Sequence, residues 1–402
     1  MKPGRKELMN PLVEITGVAH GGTCVGRVES GKVVFVRHTA PGETVRVRIT
    51  EELATRAFAD AIEVVEPSPH RTEHVWPAAQ RHDIGGAELG HLSIEGQHEF
   101  KEAVLTHTLR RIGGADVAEA ATEVRRPIRS AYRPGEGSRT RLRTITDDTG
   151  RPAMRKFHSN ELVAIDDMPL AVPELADLRD MMAPGGTELR HVATSRGDVH
   201  VCPAGAEQRI TEEVRVGDRT YSYRLTTDRF WQAHRAAPTL LANQVVDALG
   251  EVGDPTGINV LELFSGVGLF SAPIADAIGS RGALITVEGD KAAVADAKRN
   301  VPRWVEVRAA SIDPRSVSAL VVERPIDAVV LDPPRSGAGA KVCRILAEAE
   351  PTAVVMISCD PAALARDIAV FMRHGYRLEW VEPFDLFEHT HHLETTALLT
   401  LN

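Results

Sequence analysis

A free cysteine at the tip of an apolar run is the first candidate for chemistry. Val355-Met356-Ile357-Ser358 reads as a buried strand, and it stops at Cys359-Asp360-Pro361, where a helix-like pattern begins. A helix N-terminus lowers a thiol pKa, and only the thiolate is a good nucleophile. The bland alternative is a small buried apolar residue, the usual fate of a free cysteine. Cys343 lies mid-helix and reads as core; Cys24 and Cys202 read as incidental. A second candidate is Leu331-Asp332-Pro333-Pro334-Arg335-Ser336-Gly337. Two prolines after a strand stiffen the loop and remove N–H donors. Asp332 and the loop carbonyls are then free to read the polar edge of a planar base, although a merely structural turn is the competing reading.

Two further segments bear on a ligand. Leu261-Glu262-Leu263-Phe264-Ser265-Gly266-Val267-Gly268 runs from a strand into a glycine turn, where the backbone can approach a ligand closely. The full dinucleotide spacing is absent, because Ser271 holds the place of the third glycine. Glu288 ends the next strand, about 20 residues on, where an acid accepts hydrogen bonds from ribose hydroxyls. A glycine turn followed by such an acid fits S-adenosylmethionine as well as NAD. Near the end of the chain, Pro383 to Glu394 packs acids and three histidines together. No helix-spaced histidine pair or cysteine partner supports a metal site there. Glu394 borders the apolar run Ala397-Leu398-Leu399; burial would raise its pKa and suit it to act as a base, against the reading of a solvated strand-end acid.

The elements that must position these residues alternate. Strands at Val260–Leu263, Ala283–Val287, Ala328–Leu331 and Ala353–Ser358 are interleaved with helices at Val267–Ala277, Lys291–Asn300 and Lys341–Ala349. This pattern predicts a parallel, Rossmann-like doubly wound α/β sheet, whose ligands bind beyond the carboxyl ends of the strands. Ser265-Gly266, Glu288, Asp332 and Cys359 all fall at such ends. Upstream, short strands at Leu12–Ile15, Val33–Val36, Val45–Ile49 and Asp60–Val65, split by Gly21-Gly22 and Gly31, suggest a small barrel of the oligonucleotide-binding kind. Between them, a helix over His98–Ile112, a basic strand over Arg139–Ile145 and a hairpin at Gly217-Asp218 give a mixed α+β unit. The expected domains are 1–66, 67–225 and 226–402.

Bulk properties narrow the class. A chain of 402 residues with 43% hydrophobic and 26% charged content is globular and long enough for two or three domains. No window approaches the roughly 18 apolar residues of a membrane helix. The start, Met1 to Lys6, lacks the apolar core of a secretory leader, so a cytoplasmic protein with no membrane association is expected. Four scattered cysteines argue against a zinc ribbon or a disulfide framework. With a net charge of −9 the chain is no polycation, so nucleic acid would have to meet a local patch. Arg125 to Lys156 supplies ten basic residues against three acidic ones, unless these form only a solvated surface.

These motifs, in their order along the chain, resemble the RNA 5-methyluridine methyltransferases, which depend on S-adenosylmethionine. The resemblance covers nearly the whole chain. It includes a TRAM-type barrel closing with Arg56-Ala57-Phe58-Ala59-Asp60, then Phe230-Trp231-Gln232, the glycine turn, Asp332-Pro333-Pro334-Arg335, Ser358-Cys359-Asp360-Pro361 and His392-Leu393-Glu394. It implies that Cys359 adds to carbon 6 of a uracil, that Glu394 removes the proton from carbon 5, and that Asp332 sits beside methyl donor and base. Gln232, Phe264 and Glu288 would line the cofactor pocket, with Ser311 a further candidate after the strand at Val305-Glu306-Val307. The implied partner is RNA, transfer or ribosomal, whose target base must leave its stack; no protein partner is implied. Some relatives bind an iron–sulfur cluster through C-P…C-G-G-C. The matching stretch here, Trp76-Pro77…Ile84-Gly85-Gly86-Ala87, has no cysteine, so no cluster is expected. Leu269 stands where the glycine turn of the family often carries Asn. Two rival functions remain: an RNA cytosine-5 methyltransferase, disfavoured because those enzymes carry a cysteine in the loop occupied here by Asp332-Pro333-Pro334-Arg335, and an RNA-binding protein with a vestigial catalytic domain.

Overall fold

The computed structural model describes residues 10–131, 133 and 135–402. The start of the chain, Met1–Lys6, lies outside them, as do Tyr132 and Pro134 of the basic stretch. The chain separates into two compact units. The first takes the chain up to Leu105 with Ala153–Ile165 and Phe387–His392; the second takes Thr106–Pro152, Asp166–Leu386 and Leu393–Asn402.

In the first unit, alternation of buried and outward side chains drives strand formation. Val34 and Val36, Val45 and Val47, and Ala57 and Ala59 point inward to a common core with Val13 and Ile15. Five strands, β1 (Leu12–Ala19), β2 (Thr23–Arg27), β3 (Val33–Arg37), β4 (Thr44–Glu52) and β5 (Arg56–Glu66), close into a barrel in the order β1-β2-β3-β5-β4. Four of these were expected. β2 was not, because it is short and has a glycine near its end. That glycine is required: a Cβ on Gly26 would stand 2.4 Å from both the Glu14 carbonyl oxygen and Val13 Cγ1. Trp76, Ile84 and Ala87 are buried apolar side chains and offer no ligand to a cluster.

The second unit contains an eight-stranded sheet. Its order is Glu306–Ala309, Ala283–Glu288, Asn259–Leu263, Ala328–Leu331, Ala353–Ser358, Glu394–Leu401, Tyr376–Asp385 and Arg129–Ser130. The first five strands are mutually parallel. The inner Ala328–Leu331 and Ala353–Ser358 are fully buried and nearly continuous in apolar residues, as strands covered on both faces must be, whereas the edge strand Glu306–Ala309 has no buried residue. Glu394–Leu401 then runs antiparallel to Ala353–Ser358, with Ser358 opposite Thr395. The expected hairpin also forms, pairing Arg209–Val216 with Arg219–Thr226 around Gly217-Asp218. The helix expected over His98–Ile112 starts earlier, at Ile94, and loosens into a π-turn over Leu109–Gly113. The helix after the glycine turn begins only at Ser271, since the residues before it make the turn itself.

The basic stretch is not a continuous positive surface. Arg126 and Arg129 both reach the buried Glu382, and Arg141 meets the buried Glu212. Arg133 pairs with Glu136, Arg151 with Asp166 and Lys156 with Glu161. Much of the charge counted along the sequence is therefore used to neutralise carboxylates within the fold.

The close approach at Gly26 has a measurable consequence. Gly26→Ala should lower the stability of the barrel by about 1–3 kcal/mol through overpacking. Gly17→Ala, where a Cβ would meet nothing within 4 Å, should be close to neutral. Chemical denaturation of the two variants separates them; equal midpoints would show that β1 and β2 are not packed so closely.

Candidate active site

The carboxyl edge of the parallel sheet gathers the sequence candidates, and sheet register explains why. Parallel strands all finish at one edge, while an antiparallel neighbour begins there. Cys359 directly follows Ser358, and Glu394 directly precedes Thr395; since Ser358 and Thr395 are the last pair of that ladder, Cys359 and Glu394 each stand one residue beyond it at the same edge. Asp332 follows Leu331, which is paired with Leu263 on one side and Met356 on the other.

A cavity of about 370 Å³ opens at this edge, within the size range of small-molecule sites. Gln232, Phe264, Glu288 and Asp332 all line it. Ser311 does not: it lies beyond the edge strand, where its carbonyl accepts a hydrogen bond from the Ser316 hydroxyl at 2.6 Å. Phe230, 74% exposed, stands at the mouth. The glycine turn supplies the floor. Phe264 adopts a left-handed φ of 66°, a strained conformation for a side chain of its size. It is held there by donating its N–H to the Val287 carbonyl at 2.9 Å. Gly266 and Gly268 have φ of 55° and 90°. Leu269 is buried against this turn, and its carbonyl accepts the Tyr223 hydroxyl at 2.8 Å.

Glu288 is shared between turn and cavity. Gly266 N–H donates to one oxygen at 3.0 Å and Asp290 N–H to the other at 2.8 Å. Each oxygen retains a lone pair, so the carboxylate can still accept from a pair of vicinal hydroxyls.

Electrostatics sets this edge apart. Burial, with Glu288 nearby, pushes the Asp332 carboxyl up to about 7. Glu394 is 4% exposed, and its pKa is raised well above the carboxylate range by burial first and Asp332 second. Glu262, 1% exposed, belongs with them although sequence reading passed over it. Burial drives its pKa up to about 8; a hydrogen bond from Ser271 Oγ at 2.5 Å offsets part of this, and Asp332 and Glu288 add to it. Its other oxygen, like the Ser265 hydroxyl, is buried and has no hydrogen-bond partner among the described residues. The available signal was an acid inside the apolar run Val260-Leu261-Glu262-Leu263.

The thiol departs from expectation. Instead of being acidified by the following helix, Cys359 is pushed up to about 12, by burial first and then by Glu394 and Asp332, with Arg335 acting in the opposite direction. Helix Pro361–Arg373 does begin beside it, but the Asp360 carboxylate caps that end by accepting the Ala363 N–H at 2.8 Å. An anion already occupies the favourable end of the dipole.

The residues present fit a cationic, ribose-bearing ligand such as S-adenosylmethionine. Orphaned buried oxygens and a row of carboxyls await donors or positive charge, Glu288 can take hydroxyls, and the turn admits close backbone approach.

Comparison with known proteins agrees. Residues 12–62 match the model of the TRAM domain, and residues 320–402 match that of the tRNA (uracil-5-)-methyltransferases. An uncharacterized RNA methyltransferase of Bifidobacterium longum is 36% identical over 98% of both chains. The 23S rRNA (uracil(1939)-C(5))-methyltransferase RlmD of Halomonas elongata is 31% identical over 98% of this chain and 89% of its own. In fold, the chain is similar to the tRNA (uracil-54, C5)-methyltransferase of Pyrococcus abyssi solved with S-adenosyl-L-homocysteine, with a TM-score of 0.68 at 20% identity, covering 98% of this chain and 100% of the other. The chain belongs to the TRAM-containing, S-adenosylmethionine-dependent RNA (uracil-5-)-methyltransferase family.

Proposed function

We propose that the protein methylates carbon 5 of a uridine in structured RNA through a transient covalent bond between Cys359 and the base. The observation that carries this reading is that Cys359 and Glu394 each stand one residue beyond the Ser358–Thr395 pair, with Asp332, which lines the cavity, as an electrostatic neighbour of both, although neither of the two lines the cavity itself. The division of labour proposed is an RNA-binding barrel over 1–66, an α+β segment over 67–225 and the methyltransferase segment 226–402.

S-adenosylmethionine supplies an electrophilic methyl group on a sulfonium. Gln232, Phe264 and Glu288 hold the cofactor, with Glu288 on its ribose hydroxyls. Carbon 5 of uracil is too weak a nucleophile unaided. Sulfur of Cys359 adds to carbon 6; the ring's electrons move toward O4, and carbon 5 gains nucleophilic character. Because the resting thiol holds its proton, addition is coupled to loss of that proton, which the enolate oxygen takes up. Once carbon 5 carries the methyl group and the C4 carbonyl has re-formed with release of the O4 proton, a Glu394 oxygen removes the proton from carbon 5, the carbon–sulfur bond breaks, and the departing sulfur takes up a proton to restore the thiol. Asp332 orients the base. Glu394 must itself be ionised to do this, so binding of a cation beside Asp332 and Glu394 prepares it for its role by favouring the charged form.

Both RNA classes have support: the RlmD relative acts on ribosomal RNA, and the matched family description names transfer RNA. Digestion of the ribosomal and transfer RNA fractions from a deletion strain to nucleosides should show 5-methyluridine missing from one fraction and restored with the gene. 5-Methylcytidine as the only lost product would support the cytosine-modifying alternative instead.

Three variants test the chemistry. Cys359→Ala should reduce turnover by roughly 10³-fold or more while RNA binding is kept. Retained turnover would remove the covalent step. Glu394→Gln should slow turnover about 10²–10⁴-fold and accumulate a protein–RNA adduct that survives denaturing electrophoresis; a slow variant without adduct would place Glu394 before, not after, sulfur addition. Glu262 has a folded pKa above its unfolded value, so in the native state it keeps a proton that the unfolded chain gives up. Its contribution to stability is therefore present below about pH 4.5 and lost as pH rises toward 8. Glu262→Gln should flatten the fall in melting temperature over that window, and an unchanged pH profile would show that Glu262 is not held neutral.

A further inference from the structure

The histidine-rich segment before Glu394 has no part in the chemistry above, and no group of three His, Cys, Asp or Glu side chains suited to a metal occurs among the described residues. Its surroundings are nevertheless specific. Residues 387–392 belong to the barrel-containing unit, and two polar side chains are buried in that unit to hold them. Gln97 accepts the His389 N–H at 2.5 Å through Oε1, and its amide nitrogen lies 3.0 Å from His389 Nδ1. Lys101 donates its ammonium to the Phe387 carbonyl at 3.1 Å. Burying an amide and an ammonium is unfavourable unless they are well bonded, so this loop is held in one place.

What the loop presents is a set of flat rings. His391 and His392 lie with centroids 4.2 Å apart, Phe387 meets His392 edge-on at 6.0 Å, and His20 from the β1–β2 turn meets His391 edge-on at 6.2 Å. The turn is shaped to fit: Gly22 has φ of 78°, and a Cβ there would stand 3.1 Å from Glu88 Cβ and 3.2 Å from His391 Cβ. Glu88 lies 3.5 Å from His391 Nδ1. Burial opposes ionisation of Glu88, yet the neighbouring His391 and the Gly86 N–H, which donates to it at 2.8 Å, bring its pKa down to about 2, leaving an anion beside the ring. Along the chain His392 is only two residues from Glu394. Two residues span at most about 7 Å.

We propose that His20, Phe387, His391 and His392 form a stacking surface for unpaired bases of the RNA strand that flanks the target uridine. Flat rings suit this occupant, because every base offers a π-face. The tether to Glu394 then confines the bound strand to the neighbourhood of the reacting base. The proposal rests on the uridine-methylation reading.

The test uses the full chain and an RNA that the wild-type protein methylates. His391→Ala, His392→Ala and Phe387→Ala should each raise KM for RNA about tenfold, with kcat at saturating RNA within about twofold of wild type and S-adenosylmethionine binding unchanged. That last measurement also shows that each variant is folded. His391→Phe, which keeps a ring, should recover most of the loss. Unchanged KM in all three alanine variants would overturn the proposal, as would a fall in kcat alone, which would mean that the loop only positions Glu394. Failure of the wild-type protein to form 5-methyluridine in any RNA would remove the underlying reading instead.

Discussion

Strand direction governs the chemistry available at the edge of the methyltransferase sheet. Five parallel strands deliver their carboxyl ends, and with them Phe264, Glu288, Asp332 and Cys359, to one side. A sixth parallel strand would have placed its first residue at the far edge. The antiparallel return of Glu394–Leu401 places its first residue, Glu394, one step beyond the Ser358–Thr395 pair instead. The register matters as much as the direction, since a slip of one residue would turn the Glu394 side chain to the opposite face of the sheet.

Crowding of acids is the second consequence of that edge. Burial raises Glu262, Asp332 and Glu394; Asp332 adds to the first and last and Glu288 adds to Asp332, and the thiol of Cys359 rises with them through burial, Glu394 and Asp332. Four acidic groups so near one another cannot all be charged in a dry site. The protein therefore rests with protons in place, and positive charge arriving from outside is what shifts the balance. A sulfonium in the cavity would supply it, and on the proposed mechanism this would link cofactor binding to the readiness of Glu394 through electrostatics.

The barrel-containing unit shows a comparable use of buried polarity. Gln97 and Lys101 are removed from water only to hold backbone and imidazole atoms of residues 387–389. The same unit spends Arg37 on Asp60 and Asp83, and Arg71 on Glu43. These cations are thereby committed to carboxylates, while Phe157 remains 39% exposed beneath the Arg37 guanidinium.

Much of the fold was legible from local pattern. The strands Ala328–Leu331 and Ala353–Ser358 and the helix Lys291–Asn300 fall where the apolar runs and the 3.6-residue period put them, because strands covered on both faces leave little ambiguity in sequence. β2 escaped notice because Gly26 is explained by a neighbour, β1, and not by anything within the strand itself. Glu288 and Asp332 followed from strand-end logic and Gln232 and Phe264 from the family resemblance, whereas Ser311 was placed by its strand alone and lies outside the cavity lining. Two kinds of information were beyond the sequence. The basic stretch could be counted, but Glu382 and Glu212, which neutralise part of it, lie far along the chain. The thiol could be located at a helix start, but whether the helix or its surroundings set its pKa depends on how much water remains and which carboxyls stand nearby. Local sequence determined which side chains end each strand; only the packing of distant segments decided their charge, because desolvation and Coulomb interaction act through space.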